Sequence, residues 1–360
     1  MNKKIGIVTG GGDCPGLNAV IRAVAKAAAM RGWETLGILG GYAGLLEPRQ
    51  YRVLDYKALD GLLTRGGTIL GTANRGPFSA NVGHGENRRL PKQLLDATQA
   101  GMDALGISAL VTIGGDGSLS IAQQMHKHGI PIIGVPKTID NDLDGTLLTF
   151  GYDSAVACAT DALDRLHTTA ESHNRVMVLE VMGRYAGWIA LSAGIAGGAD
   201  VMLIPEVPFT YDNICAKIQE REAKGKHFTI VVVAEGARAK DGGLVTSGAP
   251  EANREARLGG VGNVVAEKIG KLSGKETRCC VLGHLQRGGT PTTFDRVLCS
   301  MFGAMAVELI AADDFGNMVA FTNSKIGAVT IADAVGRLKT VHPSDVMART
   351  ARALGICLGD

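Results

Sequence analysis

Across 360 residues, 37 basic side chains stand against 35 acidic ones, a net charge of +2 with no run of like charges; that balance argues against a nucleic-acid or membrane-surface partner. No apolar run reaches 18 residues, so no membrane span is expected. The length exceeds one ordinary core and suits two domains of roughly 150–200 residues, while 46% hydrophobic residues, 4% aromatics and 50 glycines favour an α/β chain with many tight strand-to-helix turns.

The chain opens with "MNKKIGIVTG", a short apolar run that stops at glycines and reads as a first strand, not a signal peptide. The glycine loop "GGDCPG" follows, then a helix with apolar residues at 17, 20, 21, 24 and 28, stopped by Gly32. "TLGILGGYAGLL" gives a second strand and turn. "ALVTIGGDGS" is a strand that ends in glycines ahead of the helix "LSIAQQMHKHG", and "IPIIGVPKTIDND" is the next strand and its loop. After about residue 151 the pattern restarts: helix "SAVACATDALDRLHTTA", strand "NRVMVLEVMG", helix "RYAGWIALSAGIAGGA", strand "HFTIVVVAEGA". A Gly-, Arg- and Glu-rich loop over 238–262 leads to a helix near 260–272, then strand "RCCVLG" and long helix "TTFDRVLCSMFGAMAVELIAA". The expected architecture is therefore α/β: two similar doubly wound lobes with mainly parallel sheets and a cleft between them.

Seven cysteines, at 14, 158, 215, 279, 280, 299 and 357, form no CxxC pair. They read as reduced thiols of a cytoplasmic protein. Cys14 reads as a small residue fitting a glycine turn, and Cys279 and Cys280 as pointing to opposite faces of a strand.

Three stretches carry chemistry. "GGGDCPG" (10–16) lets backbone approach a phosphate at a helix N-terminus, though many tight turns of this kind bind nothing. "TIGGDGS" (112–118) places Asp116 at a strand end amid phosphate-friendly backbone, suited either to Mg²⁺ or to capping the helix with Ser118 as partner. "PKTIDNDLDGT" (136–146) has acids at 140, 142 and 144, which face one side if the segment is extended. Close carboxylates repel one another, so their clustering suits phosphoryl transfer: one takes the proton of the attacking hydroxyl, another orients metal or water, and Lys137 neutralises phosphate oxygens; the alternative is a solvated acidic turn, which would not ordinarily carry the Thr-Ile between. Farther on, "VMGRYAGW" (181–188) and "GHLQRGG" (283–289) end strands with glycine and a base, and Arg175 and Arg278 open strands. Together they suggest anchors for a phosphorylated substrate, although each alone could be a surface salt-bridge partner, and His284 alone would more often be a packed core histidine.

"GGGDCPGLNAVIR", "RGGTILGTANR", "IGGDGS", "PKTIDND", "SHNRVMVLEVMGRYAGW", "VVAEG" and "ETRCCVLGHLQRGGTPTTFDR" resemble the 6-phosphofructokinases in order and spacing over residues 3–310. The resemblance implies transfer of a phosphoryl group, with Mg²⁺, to the 1-hydroxyl of fructose 6-phosphate. Carried over by motif, Asp140 resembles the general base, with Thr138 and Asp142 beside it at the sugar, and Asp116 the Mg²⁺ residue. Gly12, Arg75, Gly115, Asp116, Gly117 and Ser118 resemble the donor site. Met182, Gly183 and Arg184, with Glu235, His284 and Arg287, resemble the sugar-phosphate site, and Arg184 suits the transferring group. Arg175 and Arg278 match positions that reach a neighbouring subunit's site, which implies a homo-oligomer, commonly a homotetramer, with a dimer as the alternative. The implied lobes are 1–150 plus about 285–335 for ATP and Mg²⁺, and 151–284 plus about 336–360 for the sugar phosphate.

The family divides by phosphoryl donor, and this chain mixes the two patterns: Gly117 is the ATP-type residue and Lys137 the pyrophosphate-type residue. An aspartate at 117 would set charge and volume where the α-phosphate of ATP must pass; Lys137 blocks nothing. ATP is the expected donor, with pyrophosphate as the alternative. The effector pattern of regulated bacterial members is matched less far: Arg22 is present, Lys26 stands near the second position, "VLDYKALD" holds no arginine, and Asp200 replaces a glutamate. Another "GGDG" kinase, acting on NAD or a lipid, would not carry "PKTIDND" and "GHLQRGG". A non-catalytic sensor would not keep acids at 116, 140 and 142.

Overall fold

The computed structural model describes residues 3–73, 76–78, 89–246 and 258–360. In chain order the elements are β1 Lys4–Thr9, α1 Leu17–Met30, β2 Glu34–Ile38, β3 Tyr51–Val53, α2 Lys92–Leu105, β4 Ala109–Gly114, α3 Asp116–Lys127, β5 Ile132–Pro136 and α4 Tyr152–His173. There follow β6 Val176–Val181, α5 Trp188–Ala196, β7 Val201–Leu203, α6 Tyr211–Ala223, β8 Thr229–Ala234, α7 Val261–Ser273 and β9 Thr277–Val281. The chain ends with α8 Thr293–Ala311, β10 Asn317–Thr322, β11 Lys325–Thr330, α9 Ile331–Ala334 and α10 Val346–Ala353. It divides into two compact units, one of Met1–Ser154 with Arg287–Leu338, the other of Ala155–Gln286 with Lys339–Asp360.

The first unit is built on a sheet of order β11-β10-β5-β4-β1-β2-β3. The strands from β10 to β2 are parallel, and β3 and β11 add antiparallel edges. Every residue of β4 and β5 is buried, as required when both faces of a parallel sheet are covered. Leu110 of β4 and Ile132 of β5 share a core with Leu119 and Ile121 of α3 and Met102 of α2. α1 packs on α8. The second unit carries the all-parallel sheet β7-β8-β6-β9. Val178, Val231 and Val233 bury their side chains with Ile214 and Ile218 of α6 and Val265 and Ile269 of α7.

The expected elements do not include β3, β7, β10, β11, α2, α6, α9 or α10. The β10–β11 hairpin had a readable signal: Asn323 and Ser324 between apolar runs both take positive φ, 49° and 60°, the two-residue turn that suits the twist of a hairpin. Cys14 is fully buried, its Sγ 3.8 Å from the Phe150 carbonyl oxygen, and burial pushes its thiol up to about 12. Along β9, Cys280 is exposed and Cys279 half-buried.

Candidate functional site

In the first unit a pocket opens at the C-terminal ends of β1, β4 and β5, where an open α/β sheet ordinarily binds ligands. It is lined by Gly11, Gly12, Ala73, Phe78, Gly115, Asp116, Gly117, Ser118, Ile121, Lys137, Thr138, Asp140, Asp142 and Arg287. Of the stretches that line it, the loops after β1, β4 and β5 lie side by side because β1 pairs with β4 and β4 with β5; Ala73, Phe78 and Arg287 come from elsewhere in the chain.

The loop after β1 is held by two cations. Lys137, 4% exposed, donates from Nζ to the Gly12 carbonyl at 2.5 Å. Arg287 donates from Nη1 to the Asp13 carbonyl at 3.2 Å. A Cβ on Gly12 would sit 2.8 Å from that Nη1 and would push the guanidinium from this position. Burial, more than any neighbouring charge, lowers the affinity of Lys137 for its proton; the charge of Arg287 adds to the effect.

α3 starts on Gly115 with no side-chain cap. The capping role open to Asp116 in the sequence is therefore not used. Its carboxyl lines the pocket and its pKa rises to about 6, first through burial and second through the charge of Asp142. A carboxylate held this way gains from a cation placed beside it. Among the described residues no three His, Cys, Asp or Glu side chains gather as a metal cage. The donor set is one or two carboxylates, which is how Mg²⁺ is held when substrate phosphates and water complete its shell.

The expectation that Asp140, Asp142 and Asp144 share one face of an extended segment fails. The chain turns at 139–140 and again at 144–145, and Asn141 between them takes a left-handed φ of 51°, which ends the two-residue alternation of a strand. Asp140 and Asp142 line the pocket. Asp144 pairs instead with Arg337. The Asp140 backbone N–H donates to Thr138 Oγ1 at 3.1 Å.

The second unit gathers another group. Met182, Gly183 and Arg184 follow β6, and Glu235 follows β8, at adjoining C-terminal strand ends. The Glu235 N–H donates to Val181 O at 2.9 Å and the Gly236 N–H to Gly183 O at 3.1 Å. Gly183 has φ 140°, and a Cβ there would lie 2.8 Å from Ala186 O. The guanidinium of Arg184 stacks 5.7 Å from the Tyr185 ring centre. His284 is exposed on the turn Gly283–Arg287, not packed in a core. Gln286, which the sequence did not single out, is fully buried, accepts the Met182 N–H at 3.3 Å and donates to Gly283 O at 3.1 Å. Arg175 precedes β6 and Arg278 lies near the start of β9, so both sit at the N-terminal end of this sheet, away from Arg184 and Glu235. Both pair with Glu276, at 2.8 and 2.6 Å. Arg75 lies outside the described residues. At the effector positions, Asp200 is engaged internally: it accepts the Ile230 N–H at 2.9 Å and pairs with Arg221.

Residues 4–310 match the Phosphofructokinase family. An ATP-dependent 6-phosphofructokinase of Chloroflexus aggregans is 52% identical over 358 residues, covering 99% of this chain and 98% of its own. A pyrophosphate–fructose 6-phosphate 1-phosphotransferase of Streptomyces coelicolor is 48% identical over 344 residues, covering 95% of this chain and 97% of its own. The structure of phosphofructokinase from Saccharomyces cerevisiae superposes with a TM-score of 0.81 at 31% identity, over 93% of this chain and 45% of the yeast chain. Motifs, sheet order and relatives agree: the chain belongs to the phosphofructokinase family.

Proposed function

We propose that this protein is an ATP-dependent 6-phosphofructokinase, converting fructose 6-phosphate to fructose 1,6-bisphosphate in glycolysis. The observation that carries the reading is one pocket that joins Asp140 and Asp142 to Asp116 and to the buried ammonium of Lys137, in a chain whose curated relatives over its full length include several named for that activity.

Asp140 takes the proton from the sugar 1-hydroxyl as that oxygen attacks the γ-phosphorus, and ADP leaves with the bridging oxygen. Asp142 and Thr138 flank the base. Mg²⁺ is assigned to Asp116, where it would neutralise charge on the donor phosphates. Gly12, Gly115, Gly117 and Ser118 offer backbone to the donor, and Arg75 is assigned there by motif. Met182, Gly183, Arg184, Glu235, His284 and Arg287 are assigned to the sugar phosphate, with Arg184 also steadying the group in flight. Arg175 and Arg278 are assigned to a neighbouring subunit's site, which makes the assembly a homo-oligomer, a tetramer or a dimer. The exposed apolar residues Phe294, Val297 and Met301 along α8 support an assembly of that kind.

Two things favour ATP over pyrophosphate: Gly117 leaves space at the start of α3, and the Lys137 ammonium is already engaged by Gly12 O. The pyrophosphate reading keeps the support of Lys137 itself and of the Streptomyces relative. Initial rates on fructose 6-phosphate with Mg²⁺, with ATP and with pyrophosphate in parallel, decide. Turnover with ATP alone is the expected result; turnover with pyrophosphate alone would overturn the donor, and none with either would overturn the activity.

A further inference from the structure

Asn141 stands between the two pocket carboxylates and is 4% exposed. It is neither acid nor base. Its backbone is left-handed, a conformation that asparagine tolerates and most side chains do not. Its side-chain amide closes the loop that follows. Oδ1 accepts the Thr149 backbone N–H at 3.1 Å, and Nδ2 donates to Leu147 O at 3.2 Å. Thr149, 1% exposed, passes the tie onward: its hydroxyl donates to Thr138 O at 2.6 Å. A hydroxyl has one proton, so the 3.5 Å contact between Thr149 Oγ1 and Asn141 Oδ1 is secondary. Thr138 in turn accepts the Asp140 N–H, and Lys137 bridges Phe150. Asp140 thus sits in a closed ring of bonds running through Thr138, Thr149 and Asn141.

We propose that Asn141 is a positioning residue: its clasp on Thr149 and Leu147 fixes the aim of the Asp140 and Asp142 carboxylates without touching the reacting atoms. This rests on the reading of Asp140 as general base. It accounts for why an amide stands between two acids: an aspartate would keep the left-handed turn but could not donate to Leu147 O and would add a third like charge. Loss of aim of about 1 Å at such a group costs roughly 10²-fold in turnover.

The test is Asn141→Gly, which accepts the left-handed backbone without strain and removes only the clasp. The folded variant is expected to lose roughly 10- to 100-fold in kcat, with KM for fructose 6-phosphate and for ATP within about threefold. The same substitution is then made in the Asp140→Asn background. A residue acting through Asp140 adds little there, less than about threefold, because effects within one catalytic unit do not add; a merely structural residue lowers both backgrounds equally. Wild-type kcat in folded Asn141→Gly, or an equal loss in both backgrounds, overturns the inference. The unaltered enzyme is run alongside, and its failure to phosphorylate fructose 6-phosphate would overturn instead the reading on which the inference rests.

Discussion

At the C-terminal ends of β1, β4 and β5 two ionic groups are withdrawn from water; beyond β6 and around β9 those assigned to the substrate are half-buried or exposed. Lys137 and Asp142 are buried and Asp116 is half-buried, while Arg184 and Glu235 are half-buried and His284 and Arg278 exposed. Burying a charge is costly unless it is bonded and fixed, and the first unit meets that cost at Lys137 with the bond to Gly12 O. Groups fixed and partly dry before substrate arrives stabilise charge developing in a reaction. Groups that stay hydrated are suited to catching a charged ligand, each contact being modest and screened. The contrast fits the proposed roles, with the chemistry in the first unit and the anchors in the second.

The largest test of the contrast is Asp140→Asn, which keeps the shape but turns one acceptor oxygen into a donor and removes the base. It is expected to lower kcat by about 10²–10⁴-fold with KM for fructose 6-phosphate nearly unchanged. Steady-state kinetics with near-normal kcat would break the assignment. Arg278→Ala should do the reverse, raising KM for fructose 6-phosphate by about 10- to 100-fold, the worth of a charge-assisted hydrogen bond, and changing kcat little. If kcat falls instead, this arginine is not an anchor. Gly117→Asp is expected to lower the ratio of ATP to pyrophosphate turnover by roughly tenfold, the effect of like charge at a phosphate path; an unchanged ratio removes the steric account of that position.

The smallest effect is one of stability. In metal-free protein the pKa of Asp116, about 6 against an ordinary 3.8, means that the folded state holds the proton more tightly than the unfolded state. Ionised Asp116 therefore lowers stability above pH 6, and this penalty shrinks as pH falls through 6 towards 4. Asp116→Asn should raise the melting temperature at pH 7.5 by roughly 1–3 °C and by less at pH 5, while abolishing Mg²⁺-dependent turnover. A melting temperature that falls at pH 7.5 would mean that the carboxylate is not under strain.

The strands around the pocket were legible because buried parallel strands are continuous apolar runs, and their ends because glycine and aspartate interrupt those runs. Charge crowding in "PKTIDND" marked the loop that lines the pocket with Asp140 and Asp142. What the sequence could not convey was the path of the loop. Period-two reasoning holds only while φ stays extended, and the single left-handed residue at 141 undoes it for Asp144. Its partner, Arg337, lies far along the chain, beyond any local pattern. Asn141 itself was passed over because its work is hydrogen bonding to backbone eight residues away. Gln286 escaped for the same reason. β3 and β7 have three residues each, too few for any period.

The interleaving of the two units has a consequence during synthesis. β10 pairs with β5 through Asn317↔Ile133 and Met318↔Gly134, yet the whole of Ala155–Gln286 must be translated before β10 exists. At ordinary elongation rates the span from the end of β5 to the start of β10, residues 137–316, takes roughly 9–36 s. Throughout it, β5 carries the acids of the pocket on one end and an unpaired strand edge along its side, the kind of edge that recruits other chains. The nascent first unit is thus obliged to wait, and a chaperone that shields β5 would act in that interval.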